Sequence, residues 1–359
     1  MIVEENLSRE LLKYPYLVVK PFAHANNKTM VCGVFIAPEN DLQAHDLKLV
    51  FGDQELLPIH ENDYAKTTYF NAIDAAFPMK KQYFEGVVDF NFLERGGSTE
   101  SFKIQIQSTD DLYTGRPEYH WLSKNLLPFP DPEHIFRVAG KVGMPSFLLE
   151  GSTWFKKLDN ICINELGRSV LDVDVLDWGV GCARILRHLV EHGSTKIVGC
   201  DIDPVNIQWV KENIWQNVWH SHYDPPLPFE DNSFDVIYGH SIFTHLSYED
   251  QFRWLEEINR ILRPGGIALV TICGETGVYI TKHKQIIGNS AEIRRYLDEG
   301  FLDFGAVSVG VDEGRPGYYR LIAHTHAFIR NHWVDYVNVK AIYPCFAQHQ
   351  DAILLTKQQ

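Results

Sequence analysis

The sequence predicts an α/β protein. Its C-terminal part reads as a doubly wound, mostly parallel sheet, preceded by a smaller all-β, sandwich-like domain. Three observations carry this. Up to residue 115, short runs of β-branched and aromatic residues follow one another without helical periodicity. From about residue 151, apolar runs of strand length alternate with helical patterns, as in a parallel sheet covered on both faces. The length of 359 residues suits about two domains.

In the first part, residues 14–22, 28–38 and 47–52 read as strands bounded by Pro, Asn and Gly. Residues 85–107 hold two alternating runs around Arg95-Gly96-Gly97-Ser98-Thr99, which predicts a hairpin. Residues 116–150 read as a connector and lead-in, broken up by Pro117, Pro128, Pro130 and Pro132. The last domain, residues 151–359, runs DVDVLDWG, ARILRHLVEHG, KIVGCDI, PVNIQWVKENIW, FDVIYGHS, YEDQFRWLEEINRIL and GIALVTICG. Asp203 is placed to cap a helix that starts at Pro204. Ser247 with Asp250 makes a capping box before Phe252, Leu255, Ile258 and Leu262 repeat on one face. Arg263-Pro264-Gly265-Gly266 stops that helix. Trp209, Trp215 and Trp219 read as core.

Composition excludes several classes. With 33 basic against 47 acidic side chains the formal charge is −14, which argues against a nucleic-acid binder. The 45% hydrophobic and 22% charged fractions are those of a globular protein. Six dispersed cysteines without a C-x-x-C pair fit neither a zinc module nor a disulfide framework, and no metal site is expected. The N-terminal residues lack an apolar signal-peptide region, and no uncharged run reaches a membrane span of about 18 residues. The expectation is a cytoplasmic protein without a membrane partner.

The segment from Val175 to Arg184 carries the chemistry. An apolar strand ends in Asp177, passes Gly179 and Gly181, and opens into a helix. The glycines allow a sharp turn and the approach of a ligand to the main chain. The next strand ends in Asp201, placed to accept hydrogen bonds from ribose hydroxyls. A nicotinamide dehydrogenase competes with this reading. Against it, Arg184 replaces the third glycine of G-x-G-x-x-G, and Asp177 would repel a pyrophosphate. An acid there suits a cation, such as the amino group and sulfonium of S-adenosylmethionine.

VLDWGVGCARILRHL, GCDIDPVNIQWV, PPLPFEDNSFDVIYGHSIFTHLS and LEEINRILRPGGIALVTI together resemble, in order and spacing, the motifs of class I S-adenosylmethionine-dependent methyltransferases. The resemblance spans about residues 135–357 and implies a Rossmann-like, seven-stranded sheet. It departs at Ala183, where many members have glycine. It implies that Asp177, Gly179, Gly181 and Arg184 hold the amino-acid end of the cofactor, and that Asp201 holds the ribose. Ile202, with His222, Tyr223 and Asp224, would flank the adenine, while His240 and Ser241 lie beneath the methionine part. Arg137 has two readings, a contact to the cofactor carboxylate or a structural role. The family's closing antiparallel hairpin would come from HWVDYVNVKAIYP and DAILLTK.

Methyl transfer to a hydroxyl needs a proton acceptor, for which His245 and His240 are the candidates. For His245 the alternative is positioning its loop. Tyr318, Tyr319, His324 and His349 would line an acceptor pocket, with strand packing as the alternative. His324 and His326, two apart on an expected strand, suggest a metal pair, but no third ligand stands at diagnostic spacing. The reading is therefore a methyltransferase acting on a small molecule or sugar, with an N-terminal domain that binds acceptor or a partner protein. A non-catalytic cofactor-binding scaffold is the alternative.

Overall fold

In the computed structural model the described residues are seven backbone strands before residue 118, and residues 127–128, 130–139, 144–280, 290–306, 315, 317–347 and 349–358. The chain divides into two compact units, residues 1–129 with 141–153, and residues 130–140 with 154–359. Helix α1 (Pro132–Ala139) thus belongs to the second unit. A boundary at residue 151 falls inside α2 (Met144–Leu166).

The first unit holds β1 (Tyr16–Ala25), β2 (Lys28–Ala37), β3 (Leu47–Phe51), β4 (Gln54–Glu55), β5 (Lys80–Val88), β6 (Phe102–Ile106) and β7 (Leu112–Pro117). They hydrogen-bond in one continuous order, β4-β3-β6-β7-β1-β2-β5; the two facing sheets of a sandwich are not described. Among the described residues, the two arms of the hairpin expected over residues 85–107 do not pair with each other. β5 pairs along its length with β2, from Thr29 opposite Val88 to Ala37 opposite Lys80. β6 pairs with β3 and β7 instead. The intended turn at residues 95–99 lies outside the described residues.

In the second unit β8 (Val175–Trp178), β9 (Ile197–Asp201), β10 (Val218–His220), β11 (Phe234–Gly239), β12 (Leu262–Ile272), β15 (Asn338–Ala347) and β16 (Gln350–Thr356) form a seven-stranded sheet. β13 (Phe301–Ala306) and β14 (Arg320–His324) pair separately. The order is β10-β9-β8-β11-β12-β16-β15, and only β16 runs against its neighbours. The closing hairpin expected from the last 30 or so residues is therefore present. Chain order reverses between β8 and β11, and the carboxyl ends of strands at such a point form a ligand crevice.

The sheet is covered by α3 (Leu186–Glu191), α4 (Pro204–Asn213) and α5 (Tyr248–Ile261). Ser247 Oγ accepts from Asp250 N at 3.1 Å and donates to the Asp250 carboxylate at 2.8 Å, so the cap of α5 closes on itself. Trp254, Leu255, Ile258 and Ile261 of α5 are buried in one core with Phe234, Ile237, Leu262 and Ala268. Each such side chain contributes about 1.5–3 kcal/mol relative to exposure. Trp219 departs from the core reading: it is 52% exposed, with Lys211 Nζ over its ring.

Asp203 caps α4, accepting from Val205 N at 3.0 Å. The same buried carboxylate takes a two-point bond from Arg137, at 2.8 and 2.9 Å, and one from Asn206 Nδ2. Arg137 thus has a structural role: it fastens α1 to the start of α4. After β14, Thr325 is extended and its Oγ1 accepts from Phe328 N, which starts α8 (His326–His332). His324 and His326 therefore do not share a strand face. The remaining helices are α6 (Glu275–Ile280) and α7 (Ser290–Glu299).

Replacing Arg137 by Met should lower stability by about 1.5–3 kcal/mol, the range of bonds to a charged group. Urea unfolding would measure it, with α4 caps otherwise intact.

Candidate cofactor site

The turn after β8 is pulled onto β9 by two bonds, Gly179 N and Val180 N both donating to Cys200 O at 2.8 and 3.0 Å. Three residues in this turn have left-handed backbones: Gly179 (φ +83°), Gly181 (φ +51°) and Ala183 (φ +63°). The space a Cβ would take is filled by this chain's own side chains. At Gly179 it would lie 2.2 Å from Ile242 Cδ1, and at Gly181 2.7 Å from Val138 Cγ2. Ala183 bears the strain that a glycine would avoid.

Asp201 ends β9. Its Oδ2 accepts from Gly181 N at 2.7 Å and its Oδ1 from Asp203 N at 2.8 Å, so backbone amides of two loops hold one carboxylate. Burial raises its pKa to about 6, against the pull of these amides. Asp177, one strand over, is buried and accepts from Tyr238 OH at 2.6 Å. Burial pushes it further, to about 8, and the nearby Asp201 carboxylate adds to the rise.

A cleft brings together Trp178, Gly179, Asp201, Ile202, Ser221, Ile242, His245, Leu246, Trp254, Tyr318 and Tyr319. Five of the residues expected at the cofactor or acceptor thus meet in one place: Gly179, Asp201, Ile202, Tyr318 and Tyr319, with the candidate base His245. Gly181 reaches the site through its bond to Asp201. Tyr318 OH donates to Tyr223 O at 3.0 Å and the two rings meet edge to face at 4.8 Å. Asp224 points elsewhere, into surface ion pairs with Arg253 and Arg315 at 2.6 and 2.8 Å. Slight burial opposes it, but the two guanidiniums hold this carboxyl below the usual range.

His245 Nδ1 lies 2.7 Å from Arg320 O, so this nitrogen carries the proton. Its ring lies 4.6 Å from that of Tyr319. Burial lowers its pKa, leaving Nε2 with a free lone pair at neutral pH. His240, edge-on to Trp154 at 5.6 Å, is also kept neutral, mainly by burial. Its buried Nδ1 has no hydrogen-bond partner among the described residues. Arg184 acts electrostatically on both Asp177 and His240.

Other expected residues serve the fold. Ser241, left-handed at φ +63°, donates its N–H to Thr271 Oγ1, which donates to Gln350 Oε1, while Gln350 Nε2 donates to Ser241 Oγ. This ring ties β11, β12 and β16 together. His324 does not line an acceptor pocket: it is fully buried among Phe301, Phe328 and Trp333, with Nε2 3.2 Å from Gln251 Oε1. A polar residue at the end of a half-buried strand looks the same in sequence whichever face it takes. His349 lies outside the cleft, beside Gly277 and near enough to His240 to lower its pKa. Trp178 and Trp254 also line the cleft, and for Trp178 its place inside VLDWG is the signal the sequence offers.

Residues 176–270 match the family described as methyltransferase domain. The chain is 28% identical over 148 residues to a probable S-adenosylmethionine-dependent methyltransferase of Mycolicibacterium smegmatis, over 41% of this chain and 53% of that protein. It is 31% identical over 130 residues to a demethylmenaquinone methyltransferase of Staphylococcus saprophyticus, over 34% of this chain and 51% of that protein. Among solved structures it is similar to a SAM-dependent methyltransferase from Methanosarcina mazei, at 19% identity and TM-score 0.38, over 55% of this chain and 96% of that one. The chain spans about half the length of these two curated relatives. Residues 176–270 thus carry the similarity to a methyltransferase domain, and the relatives matched are named as methyltransferases.

Two outcomes follow. Both acids have folded pKa values above the unfolded value of about 3.9. At these two positions the folded protein therefore retains protons that the unfolded chain has released, and their contribution to stability falls as pH rises from about 4 to about 8. Asp177→Asn should flatten that decline in urea titrations of the ligand-free protein. Ala183→Gly should raise stability by about 0.5–1 kcal/mol, the left-handed strain relieved less the added chain entropy, read as a higher Tm.

Proposed function

We propose that this protein transfers the methyl group of S-adenosylmethionine to a nucleophile, a hydroxyl by preference, on a small molecule or sugar. The observation that carries the reading is Asp201, fixed by two backbone amides at the end of β9 and lining a cleft with Ile202 and Tyr318. Each carboxylate oxygen keeps a lone pair for a ribose hydroxyl, and Ile202 with the Tyr223–Tyr318 pair offers apolar and aromatic faces to a purine.

The residues present fit the cofactor with one adjustment. Ile242 lies against Gly179, so its side chain has to turn away for the amino-acid end to reach the glycine turn. When bound, the cofactor supplies an electrophilic methyl on a sulfonium. The chain supplies positioning, worth up to about 7–11 kcal/mol for a well-aligned displacement. His245, with Nδ1–H anchored on Arg320 O, presents an unprotonated Nε2 that can accept the proton of an acceptor hydroxyl. The acidic chain makes nucleic acid a poor acceptor, and the Staphylococcus relative is named for a small-molecule acceptor.

The second unit completes its seven-stranded sheet without the first. We assign the N-terminal β-rich unit to binding of the acceptor or a partner protein. A chain lacking residues 1–115 is expected to keep its affinity for S-adenosylhomocysteine and lose affinity for the acceptor.

Calorimetric titration with S-adenosylhomocysteine tests the cofactor reading. Asp201→Ala should raise Kd at least about tenfold, or 1.4 kcal/mol; an unchanged Kd would refute it. Transfer of labelled methyl to a small-molecule extract separates an enzyme from a non-catalytic binder. His245→Gln should then reduce turnover far more than cofactor affinity.

A further inference from the structure

We infer that Glu275, His326 and Asp351 bind one divalent first-row cation. The three come from different elements: the first residue of α6, the first of α8 and the second of β16. One donor atom from each lies within 4.8 Å of the others. His326 Nε2 stands 2.6 Å from Asp351 Oδ2 and 3.2 Å from Glu275 Oε2.

Each carboxylate is aimed by its other oxygen. Glu275 Oε1 accepts from His326 N at 2.7 Å, and Asp351 Oδ1 accepts from Cys345 N at 2.8 Å. Cys345 holds its amide there from a left-handed backbone, φ +53°. Such outer bonds fix the direction of metal ligands and are a regular part of metal sites. The donors that remain, two carboxylate oxygens and one imidazole nitrogen, converge on one point.

Two further features mark that point. Gly274 lies beside it, and a Cβ there would come 1.9 Å from Asp351 Oδ2 and 3.2 Å from His326 Nε2. Glu275 Oε2 is buried and, among the described residues, has no hydrogen-bond partner. A single proton on Nε2 bonds one carboxylate and leaves the other unsatisfied; a divalent ion reaches both. The set O, O, N suits Zn²⁺ or Mn²⁺ at about 2.0–2.2 Å. Asp351 is fully buried, whereas the Glu275 and His326 side chains are 32% and 27% exposed. The ion would therefore keep positions open on one side for water or an oxygen ligand, as in sites with three protein donors.

The test does not depend on the methyltransferase reading. Chelator-treated full-length protein is titrated with Mn²⁺, which thiols bind poorly, by electron paramagnetic resonance, and with Zn²⁺ by calorimetry. One Mn²⁺ per chain, displaced by Zn²⁺, is expected, with a rise in Tm on loading. Glu275→Gln and His326→Gln, both at partly exposed positions, should each weaken Mn²⁺ binding at least about tenfold. Absence of one-to-one binding and of the Tm rise in the native chain overturns the proposal, whether or not the variants fold. So does unchanged Mn²⁺ affinity in either folded variant.

Discussion

The bond from Gly181 N to Asp201 Oδ2 joins two loops that the sequence separates by a helix and a strand. Asp203 N holds the other oxygen, so the carboxylate is clasped between the turn after β8 and the start of α4. Gly181 can present its amide because its backbone is left-handed, a conformation that costs about 1–2 kcal/mol for residues with a Cβ. Asp203 is itself clamped by Arg137, and Val138 beside that arginine packs on Gly181. The five residues form one closed arrangement, and the cleft is shaped by it.

Charge in this region is governed by burial. Asp177 and Asp201 are raised while His240 and His245 are lowered, so acids and bases alike are pushed toward their neutral forms. A cation entering such a site favours ionised carboxylates, so its binding is coupled to proton release and strengthens as pH rises. Neutral imidazoles, in turn, do not repel a sulfonium. The electrostatics of the two pairs thus favour the same kind of ligand.

Local chemistry was legible in the sequence. Asp203 and Ser247 act as the helix caps their spacing predicts, and the glycine turn, Asp201 and Ile202 converge as expected. These features depend on residues a few positions apart or on strand alternation. What was not legible depends on distant partners. β5 pairs with β2, from Thr29 opposite Val88 to Ala37 opposite Lys80, although the turn residues after it suggest a hairpin with β6. Thr325 converts an apparent strand into a helix start after one residue, which separates His324 from His326. Asp351 reaches His326 only because β16 is inserted antiparallel beside β12, and no spacing rule encodes that meeting. Arg187 is fully buried beside Glu191, a placement that no local spacing encodes.

The second unit therefore combines a cofactor cleft over β8 and β9 with a ring of polar bonds at β11, β12 and β16. That ring holds the strand ends on which an acceptor would be oriented, while His245 and Tyr319 close the cleft from the β14 side. The account stands on Asp201 recognising ribose hydroxyls. The direct measurement compares S-adenosylhomocysteine with its 2′-deoxyribose analogue by calorimetry, in the native protein and in an Asp201→Ala variant. The native protein should prefer the hydroxylated ligand by about tenfold and the variant should show no preference, the coupling expected of groups in contact. An equal preference in both proteins would contradict the account.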